Sequence, residues 1–222
     1  CTGTQGESDT AAMAALTAEA IGSIESSVLV MSTGIIGEFL PMDTVKTGIR
    51  AVANQLAGDE ESVMRAARGF LTTDTRPKLA GEAFGKTPSG EKYHMLGIAK
   101  GAAMIGPKLA TMLGLILTDA AITPEDAQRL LYRATDLSFN CVSVDGHMST
   151  NDTVLLLANG AAGEEPLTGK NLDALETALM KTCDALAREI ADDGEGATHV
   201  IRIEITGAEG REDARRVARA IA

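Results

Sequence analysis

Ala110-Thr111-Met112-Leu113, a threonine behind a small residue at the head of an apolar run, is the arrangement in this chain that points most directly to nucleophilic chemistry. An internal threonine hydroxyl is a poor nucleophile. A threonine made N-terminal gains its own base in the freed α-amino group, whose pKa lies near neutrality. Cutting the chain before Thr111 would therefore create a catalyst. The segment leading in, Lys100-Gly101-Ala102-Ala103-Met104-Ile105-Gly106-Pro107-Lys108, is too rich in Gly and Pro for a long regular element, and it carries a cation. On residue types alone such an Ala-Thr pair is more often ordinary strand packing, and that alternative stays open at this point.

Other chemistries find less support. His94, His147 and His199 have no i, i+4 pairing and no cysteine partner, so no metal site is expected. Cys1, Cys141 and Cys183 are odd in number, far apart and without CxxC spacing, which argues against a disulfide framework and fits a reducing cytoplasm. Ser32-Thr33-Gly34-Ile35-Ile36-Gly37 is not a GxGxxG fingerprint, and no GxSxG elbow occurs.

The elements that must position Thr111 can be read from periodicity. Ala11 to Ile24 is Ala-rich and helix-prone, after an opening Cys1 to Gly6 that reads as a turn. Ser27 to Met31 reads as a buried strand ending in Ser32-Thr33-Gly34. Met42 to Leu56 and Glu60 to Ala67 are helical, Phe70 to Lys78 is extended and Thr-rich, and Thr87-Pro88-Ser89-Gly90 marks a turn between two short strands, Tyr93 to Ile98 being the second. Thr123-Pro124-Glu125-Asp126 opens a helix expected to run to about Leu137, with Thr as N-cap and Pro at the first helical position. Asn140 to Val144 and Thr153 to Ala158 read as strands around a polar loop. Leu172, Leu175, Leu179, Cys183, Leu186 and Ile190 give the clearest amphipathic helix. His199 to Ile205 alternates like a half-solvated strand, and a last helix starts at Arg211. No repeat or low-complexity linker interrupts residues 1–222, so one α/β layered domain is expected, with both chain ends reading as cuts.

Composition narrows the partners. At 222 residues, 45% of them apolar, the chain can bury a sizeable core, one built of Ala, Leu, Ile, Val and Met because aromatics are only 3%. A net charge of -11 without a basic cluster argues against nucleic acid and against an anionic membrane surface. No run approaches the roughly 18–20 apolar residues of a spanning helix, and no basic, cleavable leader opens the chain. A soluble, cytoplasmic protein is the expectation.

Five stretches carry a family resemblance. Lys100-Gly101, Met104-Ile105, Pro107 and Ala110 to Leu113 resemble a KGxGMIxPxxATML cleavage segment, and Thr72 to Thr75 with Pro77-Lys78 resembles TTDTxPK. Ser149 to Thr153 resembles STNDT, the stretch ending in Asn159-Gly160 resembles LLLANG, and Asp193 to Thr198 resembles DGEGAT. In this order, from Cys1 to Ala222, they are similar to the core of the arginine biosynthesis bifunctional family, the glutamate and ornithine acetyltransferases. The resemblance implies a layered α/β sandwich of the self-processing, N-terminal-nucleophile type. It also implies cleavage between Ala110 and Thr111 into pieces 1–110 and 111–222, with family segments before and after this core.

By the same resemblance Thr111 is the nucleophile and Thr33 and Gly34 form the oxyanion hole, while Thr75, Lys100 and Glu195 contact substrate. The implied reaction is ping-pong transfer of acetyl from N-acetylornithine to glutamate, with acetyl-CoA as a second donor in many members. No metal or other cofactor is implied. The expected assembly is a heterotetramer of two cleaved chains, each present twice. The Ser149 to Thr153 loop is read as turn and cap chemistry with no catalytic role. Departures from the family pattern are Ala102-Ala103, Gly106, Lys108 and Arg76, which bear on cleavage and pocket shape. The competing readings are a self-processing aminopeptidase or amidase that delivers the acyl group to water, and an inert core fragment.

Overall fold

The computed structural model describes residues 2–106 and 112–222. Its centre is a mixed four-stranded sheet in the order β1 (Lys78–Phe84), β2 (Tyr93–Lys100), β3 (Leu113–Ala120) and β4 (Thr153–Gly163). The first three strands are antiparallel neighbours, whereas β4 lies parallel to β3. A parallel pair needs a crossover. Helix α4 (Pro124–Leu137) supplies it, started by the Thr123 hydroxyl, which accepts from the Asp126 amide at 3.2 Å, with Pro124 in the first turn.

The core lies on one face of this sheet. Helix α5 (Gly169–Asp192) turns Leu175, Leu179, Cys183, Leu186 and Ile190 inward, all fully buried against Met95, Ala99 and Ile116 of the strands. Burying each such side chain contributes roughly 1.5–3 kcal/mol. Leu130 and Ala134 of α4 close the same cluster. The helix comes so near β2 that a Cβ at Gly97 would lie 2.6 Å from Thr182 Cγ2 and 2.7 Å from Leu186 Cδ1. The other face is only partly covered: His94, Leu96, Leu117 and Leu157 line an open groove of about 510 Å³.

Helices α1 (Gly3–Ile21), α2 (Met42–Ala53) and α3 (Glu60–Gly69) precede the sheet, and α6 (Arg211–Ile221) follows α5. Helix α1 ends at Gly22, whose left-handed φ of 69° lets the Ser23 amide return to the Ala18 carbonyl at 2.8 Å. Helix α3 is capped by Asp59, which accepts from the Ser62 amide at 2.7 Å. Among the described residues no helix is long and apolar enough to cross a membrane.

Four local expectations are corrected. The opening residues are not a turn, because the helical run of Ala11 onward continues back to Gly3. Ser27 to Met31 is not a buried strand: Val28 is extended, but Leu29 is 58% exposed and no strand pairs with the segment. Asn140 to Val144 forms a 3-10 turn over Phe139–Cys141 and then an extended stretch that joins no sheet among the described residues, although the Val144 amide donates to the Ile105 carbonyl at 2.8 Å. His199 to Ile205 likewise forms no strand, and Ile201 is 80% exposed. In each case β-branched side chains favour extended backbone, yet a strand also needs a neighbour that pairs along its length, and among the described residues none of these segments has one.

The close approach at Gly97 makes a direct prediction. Thr182 and Leu186 are themselves buried and have no room to yield, so Gly97→Ala should destabilise the protein by about 1–3 kcal/mol. Urea unfolding would register this as a lowered midpoint at unchanged slope, and an unshifted midpoint would refute the tight packing.

Candidate active site

Three strand ends meet in one row across the sheet, since Lys100 pairs with Leu113 and Leu113 with Thr153. The 72–77 loop arrives at the same edge, as does the C-terminal end of α5, and the bond between them is ionic. Lys78 is fully buried, and its ammonium lies 2.6 Å from Asp74 Oδ1 and 2.6 Å from Asp193 Oδ2. Asp193 also accepts from the Thr75 amide at 3.0 Å and from the Thr75 hydroxyl. Burial by itself would raise the Asp193 carboxyl, but these hydrogen bonds outweigh it and hold the pKa at about 2. Arg76 adds ion pairs to Glu189 at 3.0 Å and to Asp193 at 3.7 Å.

Asp74 passes this anchoring on to the segment after β2. Its Oδ1 accepts from the Gly101 amide at 2.6 Å, and its Oδ2 from the Thr72 amide at 3.2 Å. Burial opposes the charged form here too, yet the Gly101, Lys78 and Thr72 donors lower the pKa. Gly101 has φ 151°, and a Cβ there would approach Ile105 Cδ1 at 3.2 Å and Met112 Cβ at 3.4 Å, so the segment turns tightly over Met112. Met104 takes an uncommon left-handed φ of 53°, held by Asp145, whose two oxygens accept from the Met104 and Ile105 amides at 2.6 and 3.0 Å. At Gly106 a Cβ would lie 2.8 Å from the Gly146 carbonyl oxygen, so a side chain there would have to displace backbone.

Lys100 is 1% exposed, so it is not a solvated surface lysine. Its Nζ donates to Thr72 Oγ1 at 3.2 Å; burial lowers its pKa, against the opposing charges of Asp74 and Asp152. Across the row, Asp152 Oδ1 accepts from the Met112 amide at 2.8 Å, and the Thr153 amide donates to the Met112 carbonyl at 3.1 Å. Both backbone groups of the residue that follows Thr111 are thereby fixed. Burial pushes the Asp152 carboxyl up to about 6, although the Met112 amide and Lys100 pull the other way.

Thr33, half-buried, and Gly34, exposed, line a pocket of about 160 Å³ together with Asn151, the neighbour of Asp152. The amide of Glu195 donates to the Ala102 carbonyl at 2.7 Å, which sets this exposed residue beside the same segment. A buried cation at Lys100, and a Thr and a Gly lining a small pocket, are residue types able to donate to a developing oxyanion.

A profile described as the ArgJ family matches residues 1–222. The chain belongs to the ArgJ family. It is 46% identical over 223 residues to the arginine biosynthesis bifunctional protein ArgJ of Symbiobacterium thermophilum, covering 100% of this chain and 54% of that protein. The protein of the same name from Geobacter sulfurreducens is 44% identical over 224 residues, with coverages of 100% and 56%. The mitochondrial ArgJ of Meyerozyma guilliermondii is 41% identical over 226 residues, with coverages of 100% and 51%. The chain thus spans about half the length of the curated relatives it matches. A crystal structure of the Bacillus halodurans protein argJ aligns with 38% identity and a TM-score of 0.43, covering 50% of this chain and 55% of that one.

Of the residues singled out in the sequence, Ala110 and Thr111 lie outside the described residues. Thr75, Lys100 and Glu195 come together around the 100–106 segment, and Thr33 with Gly34 reaches the 149–153 loop through their shared pocket. Sequence reasoning missed the aspartates that hold this edge, Asp74, Asp145, Asp152 and Asp193. The only signal for them was that three fall inside the recognised motifs.

Lys78→Met should destabilise the protein by about 3–5 kcal/mol, because it leaves two buried carboxylates without their cation. The anchoring is also pH-dependent. A carboxyl near 3.9 when unfolded and about 2 when folded contributes stability that is complete above about pH 4 and disappears as pH falls through about 2. Thermal midpoints between about pH 5 and pH 2 should therefore fall more steeply for the wild type than for Asp193→Asn, and parallel slopes would refute the role given to Asp193.

Proposed function

We propose that this chain is the catalytic core of an ornithine acetyltransferase, in which Thr111 becomes N-terminal by cleavage after Ala110 and then carries the acetyl group. The observation that supports this most is the convergence of Lys100, the Thr33–Gly34 pocket and the doubly fixed Met112 at one sheet edge, directly beside the Ala110–Thr111 position in the chain.

In this reading the hydroxyl of Thr111 attacks the acetyl carbonyl of N-acetylornithine, with the α-amino group of the same residue as base. The Thr33 hydroxyl and the Gly34 amide donate to the oxyanion, and the Lys100 ammonium adds a buried positive field. Ornithine leaves, and the acetyl ester is then attacked by the amino group of glutamate. Glu195 is suited to accept from the α-amino group of the incoming amino acid. Thr75 already donates its hydroxyl proton to Asp193, which leaves its oxygen free to accept from a substrate N–H.

The name shared by the relatives, arginine biosynthesis bifunctional protein, is consistent with acetyl-CoA as a second donor. The proposed assembly is two copies of each cleaved piece, 1–110 and 111–222, in one heterotetramer. Cys141 and Cys183 are free thiols, which accords with the reducing cytoplasm as the proposed compartment; the Meyerozyma relative is named as mitochondrial.

Three outcomes are expected from the full-length parent enzyme. Denaturing mass spectrometry should find two pieces, the second beginning at Thr111 and gaining one acetyl group after incubation with N-acetylornithine. Thr111→Ala should remain a single chain and lose transfer by more than about a thousandfold. Thr33→Val should be cleaved, bind substrate with a similar KM, and lose about 10²–10³ in kcat. An intact chain with full ornithine-releasing activity would overturn the proposal, and acetate release indifferent to glutamate would replace transfer by hydrolysis.

A further inference from the structure

Asp152 carries a group that no contact in the fold explains. Its Oδ1 caps the Met112 amide, but its Oδ2 is buried and has no hydrogen-bond partner among the described residues. An unpartnered carboxylate oxygen out of water is costly, and a purely structural cap does not need it. Burial has pushed this carboxyl up to about 6, the behaviour of an acid short of positive charge in its surroundings. Lys100 is the cation acting on it, from the end of β2. From the Thr33 segment, Glu38 lines the pocket that Asn151 shares, and within its own loop Asp145 and His147 pair with each other at 3.5 Å.

The position of Asp152 along the chain suggests what the free oxygen is for. The nitrogen of residue 111 is joined to the nitrogen of Met112 through only two intervening backbone atoms, so covalent geometry keeps the two within about 4 Å of each other. A carboxylate bound to the Met112 amide is therefore within reach of any charge that develops on the neighbouring nitrogen.

We infer that Asp152 is the positioning residue that holds the α-ammonium of Thr111 through its free Oδ2, while Oδ1 keeps its grip on the Met112 amide. This rests on the reading of Thr111 as an N-terminal nucleophile. As Thr111 Oγ bonds to the acetyl carbon, its proton passes to the α-amino nitrogen, giving –NH3⁺ beside the carboxylate, and the carbonyl electron pair moves onto oxygen. When the oxyanion collapses, the C–N bond breaks and the same proton passes from the ammonium to the departing amine of ornithine. Asp152 stays ionised throughout and is not consumed. It raises the basicity of the amine at the moment the proton arrives.

The discriminating variant is Asp152→Asn in the full-length parent enzyme, because the asparagine oxygen still accepts from the Met112 amide and only the charge is lost. The expected result is a thermal midpoint near that of the wild type, a 10- to 100-fold loss in kcat with little change in KM, and an acid limb of the pH–rate profile displaced downward by about one pH unit or more, since the amine has lost its counter-ion. That limb belongs to the carboxyl and amine together. Asp152→Glu should recover part of the rate. A kcat within twofold of wild type and an unmoved acid limb in Asp152→Asn would reduce Asp152 to a backbone cap and overturn the inference. If Asp152→Asn stays uncut, the comparison is read on cleavage: recovery of cutting in Asp152→Glu supports the charge requirement, and two folded but uncut variants count against it. Mass spectrometry of the wild type separates the two readings. Absence of acetyl-Thr111 there sinks the proposed nucleophile, whereas acetyl-Thr111 in both proteins with identical pH profiles sinks only the role of Asp152.

Discussion

A single buried ammonium holds together the parts of this protein that face the candidate site. Lys78 opens β1, yet its charge is shared by Asp74 in the preceding loop and Asp193 beyond the end of α5, all with side chains at most 3% exposed. An isolated charge in such surroundings would be expelled, so the three groups can be buried only together. The arrangement fixes where the long helix ends relative to the sheet edge. Through Asp74 and the Gly101 amide it also fixes where the chain leaves β2.

From that anchor the same device repeats along the edge. Asp74 accepts from Gly101, Asp145 from Met104 and Ile105, and Asp152 from Met112, so carboxylates grip backbone amides on both sides of residues 107–111. Charge-assisted bonds to backbone donors are short and directional, and they leave the side chains of the gripped residues free for packing. The left-handed backbone at Met104 persists under such a grip, where an unsupported loop would relax. A chain segment held at both margins is a reasonable setting for chemistry directed at one of its own peptide bonds.

Much of the scaffold was legible in the sequence where a local signal and the tertiary context agree. Thr123-Pro124 started α4 as its capping chemistry dictates, the apolar spacing of α5 matched its buried face, and the Pro88–Gly90 turn joined two paired strands. Ser27 to Met31, Asn140 to Val144 and His199 to Ile205 misled because extended-favouring residues cannot disclose whether a neighbouring strand exists. At the site, Lys100 could be singled out by motif, but its burial and its link to Thr72 could not. The aspartates escaped notice for a related reason. An acid in a polar loop looks solvated until the fold brings an amide from 27 to 118 residues away onto its carboxylate.

The connection between β2 and β3 runs through residues 101–112, and the strands it joins are hydrogen-bonded neighbours at the centre of the sheet. A chain opened between residues 110 and 111 would leave β1 and β2 on one piece and β3, β4, α4 and α5 on the other, with α5 laid across the strands of its partner. Neither piece would retain a closed hydrophobic interior by itself. Once unfolded, such halves must find each other again by diffusion, so the opened molecule regains its structure in a second-order process that slows on dilution, whereas the unbroken chain does so at a rate independent of concentration.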